Sequence, residues 1–346
     1  MSTQEIPLIP TAVIGAGAWG TALAIAIARN EHKVLLWGRD PEHLTAMQQS
    51  RTNERYLSGI SLPETLQIEA DFELAIKQAK HILVSVPSVA FADMLSKIKP
   101  FITAGTPLSW ATKGFTPETG RFLYDTARDI LGDSHPLAVI SGPSFAAEVA
   151  KDLPTAIAVA SRDTEFCQSL AAAMHRPTLR VYTTSDVLGV QVGGTVKNVL
   201  AISAGISDGL GFGANARAAL ITRGMAEILR LASALGAEPE TMIGLSGVGD
   251  LILTCTDNQS RNRQLGLAIG RGLTVEQAVA EVGKTVEGMT AAREVLKQAK
   301  QAGIEMPIVE QVCKILFAGS DPREAVQALL CREQKAETNH PASVTD

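Results

Sequence analysis

In the first half of the chain, short apolar runs rich in Val, Ile and Leu recur between stretches whose apolar residues have helical spacing. The runs predict strands at 11–15, 33–37, 66–69, 81–86, 107–111 and 137–140, with further strand-like runs at 155–160 and 180–183. Helical patterns fill the gaps at 18–30, 42–50, 117–131 and 164–174. Strands alternating with helices predict a doubly wound, parallel α/β sheet. From about Asp186 the strand pattern stops, and long helices are predicted at 187–206, 216–235, 287–302 and 305–317, with Gly236 and Gly303 as C-caps. The organisation expected is therefore an α/β domain over 1–186, an all-α domain over 187–332 and a disordered polar tail over 333–346.

Composition narrows the function. Charged residues make up 19% of the chain, below the ~25% of an average soluble protein, which points to faces buried in the fold or against a second subunit. The 31 Lys and Arg against 36 Asp and Glu give a net charge of -5, so no broad attraction to a nucleic-acid backbone is expected. Cys167, Cys255, Cys313 and Cys331 are widely spaced, which argues against a zinc site or a disulfide framework. The start, MSTQEIPLIP, has no basic and apolar signal regions, and no uninterrupted apolar run reaches ~18 residues. A cytoplasmic protein without membrane insertion is expected.

The strand TAVIG runs into GAGAWG at 15–20 and then into a helical pattern. Strand, glycines and helix in one unit predict a Rossmann-like dinucleotide site. Gly15 permits the tight turn, Gly17 lets backbone approach a pyrophosphate, and Gly20 lets the helix pack on the strand. The helix N-terminus then offers N–H groups and a positive dipole end to the diphosphate. After the second strand come Gly38, Arg39 and Asp40. Arg39 could pair with a 2′-phosphate, favouring NADPH or dual use over NADH alone, or could be a solvated partner of Asp40.

Several dehydrogenase chemistries are absent. No Tyr is followed four residues later by Lys, no Cys/His cluster suits a catalytic zinc, and no His lies in a glycine-rich motif. One cation stands out instead. In GVQVGGTVKNVLAISAG, Lys197 shares a helix face with Gly193, Gly194, Leu200 and Ala201. A lysine on such a face costs free energy unless an anion or strongly polar group meets it, and burial can tune its amine to donate a proton near neutral pH. The alternative is a lysine snorkelling from a helix edge.

Further clusters could complete a site. Asp250, after a Gly-x-Gly, could orient the Lys197 ammonium. Ser260, Arg261 and Asn262 sit at a predicted helix start and could cradle a phosphate, although Ser260 alone reads equally as an N-cap. Glu287 could meet ribose or nicotinamide groups, or be a helix-start charge. In the first domain Lys113 and Gly142-Pro143-Ser144 follow strands, where ligands sit in doubly wound folds.

Together GAGAWG, ATKG, GPSFAAEVA, VKN, GVGDL, SRNR and VEG, in this order, resemble the bacterial-type NAD(P)-dependent sn-glycerol-3-phosphate dehydrogenases over about 12–330. The resemblance implies hydride transfer between NAD(P)H and dihydroxyacetone phosphate, yielding sn-glycerol 3-phosphate for glycerophospholipid synthesis, in a cytoplasmic homodimer. It implies Lys197 as proton donor, and Lys113, Gly142, Ser144, Asp250, Ser260, Arg261 and Asn262 at the substrate. It implies Ala18, Trp19, Arg39, Ala146 and Glu287 at the cofactor, with Lys113 and Arg261 near both, and no metal. Ala18 departs from the Ser frequent in the family. The alternatives are a 3-hydroxyacid or ketopantoate-type dehydrogenase, or a dinucleotide sensor without turnover.

Overall fold

A computed structural model describes residues 10–332 apart from 118, 284 and 285. The tail expected at 333–346 lies outside the described residues. Ten strands are β1 (Thr11–Ile14), β2 (Val34–Trp37), β3 (Thr52–Asn53), β4 (Leu57–Ser61), β5 (Leu66–Ile68), β6 (His81–Val84), β7 (Leu108–Trp110), β8 (Leu137–Ser141), β9 (Thr155–Ser161) and β10 (Leu179–Thr184). Eight form one sheet in the order β10-β9-β8-β7-β6-β1-β2-β5. Every residue of β1, β6, β7 and β8 is buried, because helices cover both faces. That is why these strands read as continuous apolar runs without alternation. Apolar cores lie on the two sides of the sheet, one around Leu23, Leu36 and Ile140 and the other around Phe91, Trp110 and Val84.

The chain winds outward from β1 through β2 to β5, then returns to place β6 on the other side of β1, parallel to it. The order reverses between β1 and β6, so a crevice opens at their carboxyl ends. One strand departs from the parallel expectation: β9 runs antiparallel to β8. The segment between them, residues 142–154, holds only the five-residue helix Ala146–Ala150 in place of a long crossover helix. Two shorter differences are local. The ribbon of β3 and β4 is polar and too short to show in the pattern. The helix expected at 117–131 begins only at Leu123, after a loop closed by Thr116 N–H donating to Arg121 O.

After β10 the described residues are helical. The 23-residue helix Val187–Gly209 is apolar and long enough to cross a membrane, but 94% of that window is buried inside the protein, so it is a core helix. Val187 and Val190 pack in the sheet-side core, whereas Val192 to Ile206 join a separate helical core. The helix thus ties the two cores together. Gly236 caps its helix in the left-handed conformation as expected, and Gly303 does so one residue beyond the cap Ala302.

Helix Arg261–Gly270 crosses the central helix backbone to backbone. A Cβ on Gly205 would stand 2.2 Å from Arg263 O, and one on Gly266 would stand 2.1 Å from Ile202 O. No side chain other than hydrogen fits there, and this contact fixes where Ser260, Arg261 and Asn262 stand. Gly266→Ala is expected to destabilise the protein by about 1–3 kcal/mol through forced separation of the helices. Urea unfolding of the two proteins measures it, and an unchanged midpoint would contradict this packing account.

Candidate active site

The glycine-rich turn has the geometry that the spacing predicts. Gly15 has φ 126, and a Cβ there would stand 2.2 Å from Ser85 O at the end of β6. A Cβ on Gly20 would stand 1.9 Å from Gly15 O. Gly17 is different: nothing lies within 4 Å of the Cβ position, and it caps helix Ala18–Ala28 without any side-chain hydrogen bond. Open space over an uncapped helix N-terminus at a strand-order reversal fits a dinucleotide diphosphate. Ala18 and Trp19 form the first turn of that helix. Arg39 is exposed just beyond β2, and Asp40 pairs with Arg55 and not with Arg39.

The central helix carries Lys197, which is 7% exposed. Its ammonium donates to Asp250 Oδ1, and to Thr254 Oγ1 at 2.9 Å. Lys113, in the loop after β7, donates to Asp250 Oδ2 at 2.8 Å. One carboxylate, itself 1% exposed, therefore holds two ammonium groups side by side. Lys197 is not a snorkelling lysine.

Backbone proximity makes this possible. Asp250 opens helix Asp250–Thr256 directly after the π-helical turn Leu245–Gly249. A Cβ on Gly193 would stand 2.3 Å from Ser246 O, so the glycine lets that turn lie against the central helix. A Cβ on Gly247 would stand 1.9 Å from Met242 O, so this glycine is a site of close packing. A Cβ on Gly194 would be 2.9 Å from Ser141 Oγ and 3.7 Å from Lys113 Cδ, so the second glycine admits the Lys113 stem.

Burial is the main influence on Lys197 and pushes its pKa down; Asp250 opposes this and Lys113 adds to it, leaving a value of about 7. Burial would raise the Asp250 pKa, but the Lys113 and Lys197 charges reverse it, and the carboxyl is held below its usual range. The cluster therefore keeps its anion and has one amine poised near neutrality. By contrast, burial pushes His81 down to about 3, and it bonds Ser109 inside the sheet. Cys255 is pushed up to about 12 by burial, which leaves it an inert thiol.

The other predicted residues surround this cluster. Asn198 Oδ1 accepts from Asn262 Nδ2 at 2.9 Å, and Asn262 Oδ1 accepts from Gly288 N–H at 2.9 Å. The Asn262 amide thus ties three helices together, and its second Nδ2 proton is not committed to either bond. Ser260 is the N-cap of helix Arg261–Gly270, accepting from Arg263 N–H at 3.2 Å, while its own O–H proton stays available for donation. Arg261 is the first residue of that helix. Glu287 is both a helix-start acid and part of a cleft lined by Ser88, Lys113, Asn198 and Glu294. Gly142 has φ 134 and Ser144 Oγ donates to its carbonyl at 3.2 Å. Pro143 lies 3.6 Å from the Gly249 Cβ position, which sets this loop against the π turn, and Ala146 opens the short helix beyond.

Two contributors were missed in the sequence. Thr254, one helical turn after Asp250, accepts from Lys197 and donates to Asp250 O at 2.6 Å; the i, i+4 spacing was the available signal. Asn53, fully buried, donates from Nδ2 to Ala16 O at 3.1 Å and to Thr21 Oγ1 at 2.8 Å, bracing the glycine-rich turn from the ribbon. No local pattern marks it.

A dinucleotide-binding sheet joined to a helical domain that supplies a buried, tuned lysine defines a two-domain nicotinamide-dependent dehydrogenase. Family models described as the NAD-dependent glycerol-3-phosphate dehydrogenase N-terminus and C-terminus match residues 10–167 and 186–327. The chain belongs to that family. It is 55% identical over 326 residues to a protein of Colwellia psychrerythraea named glycerol-3-phosphate dehydrogenase (NAD(P)+), covering 94% of this chain and 98% of that protein. It is 53% identical over 326 residues to a Vibrio cholerae protein of the same name, covering 94% and 95%. A crystal structure of glycerol-3-phosphate dehydrogenase from Coxiella burnetii superposes with a TM-score of 0.90 at 47% identity, covering 94% of this chain and 99% of that one. A ketopantoate reductase from Ralstonia eutropha JMP134 reaches a TM-score of 0.59 at 18% identity, which is likeness of fold alone.

Asp250→Asn keeps the shape of the cluster and removes the charge between the two ammonium groups. Lys197 is expected to lose its proton at still lower pH, and turnover to fall by about 10²–10⁴-fold. The pH profile of kcat checks this; a profile identical to that of the unaltered protein would contradict the role of Asp250.

Proposed function

We propose that the protein interconverts dihydroxyacetone phosphate and sn-glycerol 3-phosphate with NADPH or NADH, supplying glycerophospholipid synthesis. The observation that carries this reading is the buried Lys113–Asp250–Lys197 cluster, in which protonated Lys197 leaves one positive charge unbalanced by Asp250. A phosphorylated ketone meets that charge with its own anion.

A nicotinamide dinucleotide held at the glycine-rich turn would supply or accept a hydride at the substrate C2. Lys197 gives its proton to the C2 oxygen during reduction and recovers one from solvent afterwards, while Asp250 and Thr254 aim the ammonium. Lys113, Gly142 and Ser144 hold the substrate from the sheet side. From the helical side the Ser260 hydroxyl, the Arg261 guanidinium and the Asn262 backbone N–H hold the phosphate at a helix N-terminus. Gly15, Gly17, Ala18, Trp19, Gly20, Arg39, Ala146 and Glu287 line the cofactor. Fixing both reactants between the sheet and the helices is the larger contribution to rate, and proton donation adds about 10²–10⁴-fold.

The division into a dinucleotide domain over 1–186 and a catalytic domain over 187–332 is part of the proposal, supported by the end of β10 at Thr184 and the start of the central helix at Val187. A homodimer is supported by Phe212, Ala214, Ala218 and Ala219, exposed along the first half of helix Gly213–Leu235. A cytoplasmic location is supported by Cys167, Cys255, Cys313 and Cys331, all of them free thiols.

Loss of NADPH absorbance with dihydroxyacetone phosphate, against a panel of 2-oxo acids, tests the substrate; equal or faster rates with a 2-oxo acid would overturn it. Lys197→Ala is expected to lower turnover by about 10²–10⁴-fold with cofactor binding retained. In the unaltered enzyme, reduction is expected to fall as pH rises through about 7 and above, since the donor must be protonated. Oxidation needs the neutral amine and is expected to rise over the same range. The substrate dianion favours the ammonium and moves both limbs upward in pH together. Initial rates in both directions measure this, and limbs running in the same sense would contradict Lys197 as the donor.

A further inference from the structure

We propose that Arg55 is a specificity-determining residue: by occupying the carboxylate of Asp40, it shifts the adenosine end of the cofactor site from a ribose 2′-hydroxyl toward a 2′-phosphate. This rests on the dinucleotide reading of the first domain. In doubly wound folds an acid just beyond the second strand accepts hydrogen bonds from the ribose hydroxyls and repels a 2′-phosphate. Asp40 stands at that place, three residues past the end of β2. It would make the chain an NADH enzyme if its oxygens were free.

They are not. Oδ1 accepts from His43 N–H at 3.2 Å as the N-cap of helix Pro41–Ser50, and Oδ2 accepts from Arg55 Nη1 at 2.7 Å. The His43 amide first, and the Arg55 guanidinium next, hold the Asp40 carboxyl below its usual range. The guanidinium also sits over the Tyr56 ring, 5.2 Å from its centroid, and Tyr56 packs edge-on against His43. Glu54, the other acid nearby, is turned away, accepting from Ser58 Oγ at 2.6 Å and Gly59 N–H at 3.2 Å. Arg39, one residue before Asp40, is exposed, and the acid beside it is neutralised by Arg55.

The ribbon that carries Arg55 is not a loose loop. Arg51, at φ 54, donates from Nη2 to Leu62, Pro63 and Leu66 carbonyls and closes its base. Asn53 fixes it to Ala16 and Thr21 of the glycine-rich turn, and Asn53 Oδ1 pairs with His43 Nε2 at 2.9 Å. Residues 51, 53 and 55 thus clamp the ribbon base, the diphosphate turn and the ribose acid in succession. The Arg55–Asp40 pair is solvent-exposed, with side chains 56% and 42% accessible, so its effect is strongest at low salt.

The test is calorimetric titration of the full chain at low ionic strength with adenosine 2′,5′-bisphosphate and with AMP, which differ only in the 2′-phosphate and require no turnover. Arg55→Ala is expected to lower the affinity for the bisphosphate relative to AMP by about tenfold. Adding Asp40→Asn to Arg55→Ala is expected to restore most of that ratio, since Asn keeps the helix cap and lacks the charge. A ratio unchanged by Arg55→Ala would overturn the proposal while leaving the dinucleotide reading intact. A ratio lost in Arg55→Ala and not recovered with Asp40→Asn would overturn it as well, by showing direct contact in place of neutralisation. If the unaltered chain binds neither nucleotide, the dinucleotide reading falls and the proposal with it.

Discussion

The structure depends on one carboxylate placed between two ammonium groups away from water. Asp250 alone in that position would be a large desolvation cost, and Lys197 alone would shed its proton. Together with Lys113 they form a cluster in which removing Asp250 leaves two ammonium groups uncompensated, a change that in buried pairs costs about 3–5 kcal/mol. Lys113 comes from a sheet loop, Lys197 from the central helix and Asp250 from the start of helix Asp250–Thr256. The ion cluster therefore joins the two halves of the chain at the point where a substrate would lie.

Glycine is the means by which those elements approach. Gly193 admits the π turn that carries Asp250, Gly194 admits the Lys113 stem, and Gly205 with Gly266 brings in the helix that begins at Arg261. A net charge of -5 excludes a broad basic surface and is compatible with a local cluster of cations such as Lys113 and Lys197. Lys113 and Lys197 meet at one carboxylate, and low-dielectric walls focus the field of charges so placed.

Much of this was legible along the chain, because some constraints are local. The strand–glycine–helix unit at 11–28 and the start of the helix at 261 announce themselves by sequence-adjacent requirements: a positive φ, a close backbone approach, a cap. Lys197 was legible because a lone cation among small apolar residues has to be explained. What escaped notice depends on contacts between distant segments. The antiparallel course of β9 depends on its pairing with β8, the π turn at 245–249 lies against Gly193, and the Asn262 amide bonds Asn198 and Gly288. The pairing of Asp40 with Arg55, in place of Arg39, depends on a ribbon whose short polar strands leave no periodic trace.

The central claim is that burial beside Lys113 makes Lys197 a proton donor near neutral pH, with Asp250 holding it in place. It is tested most directly by carbon NMR of protein labelled at lysine Cε, with the Lys197 resonance assigned by its loss in Lys197→Arg. Titration from roughly pH 5 to pH 11 is predicted to give a midpoint of about 7 for Lys197, well below the ~10.4 of an ordinary lysine. A midpoint near ~10.4 would contradict the account.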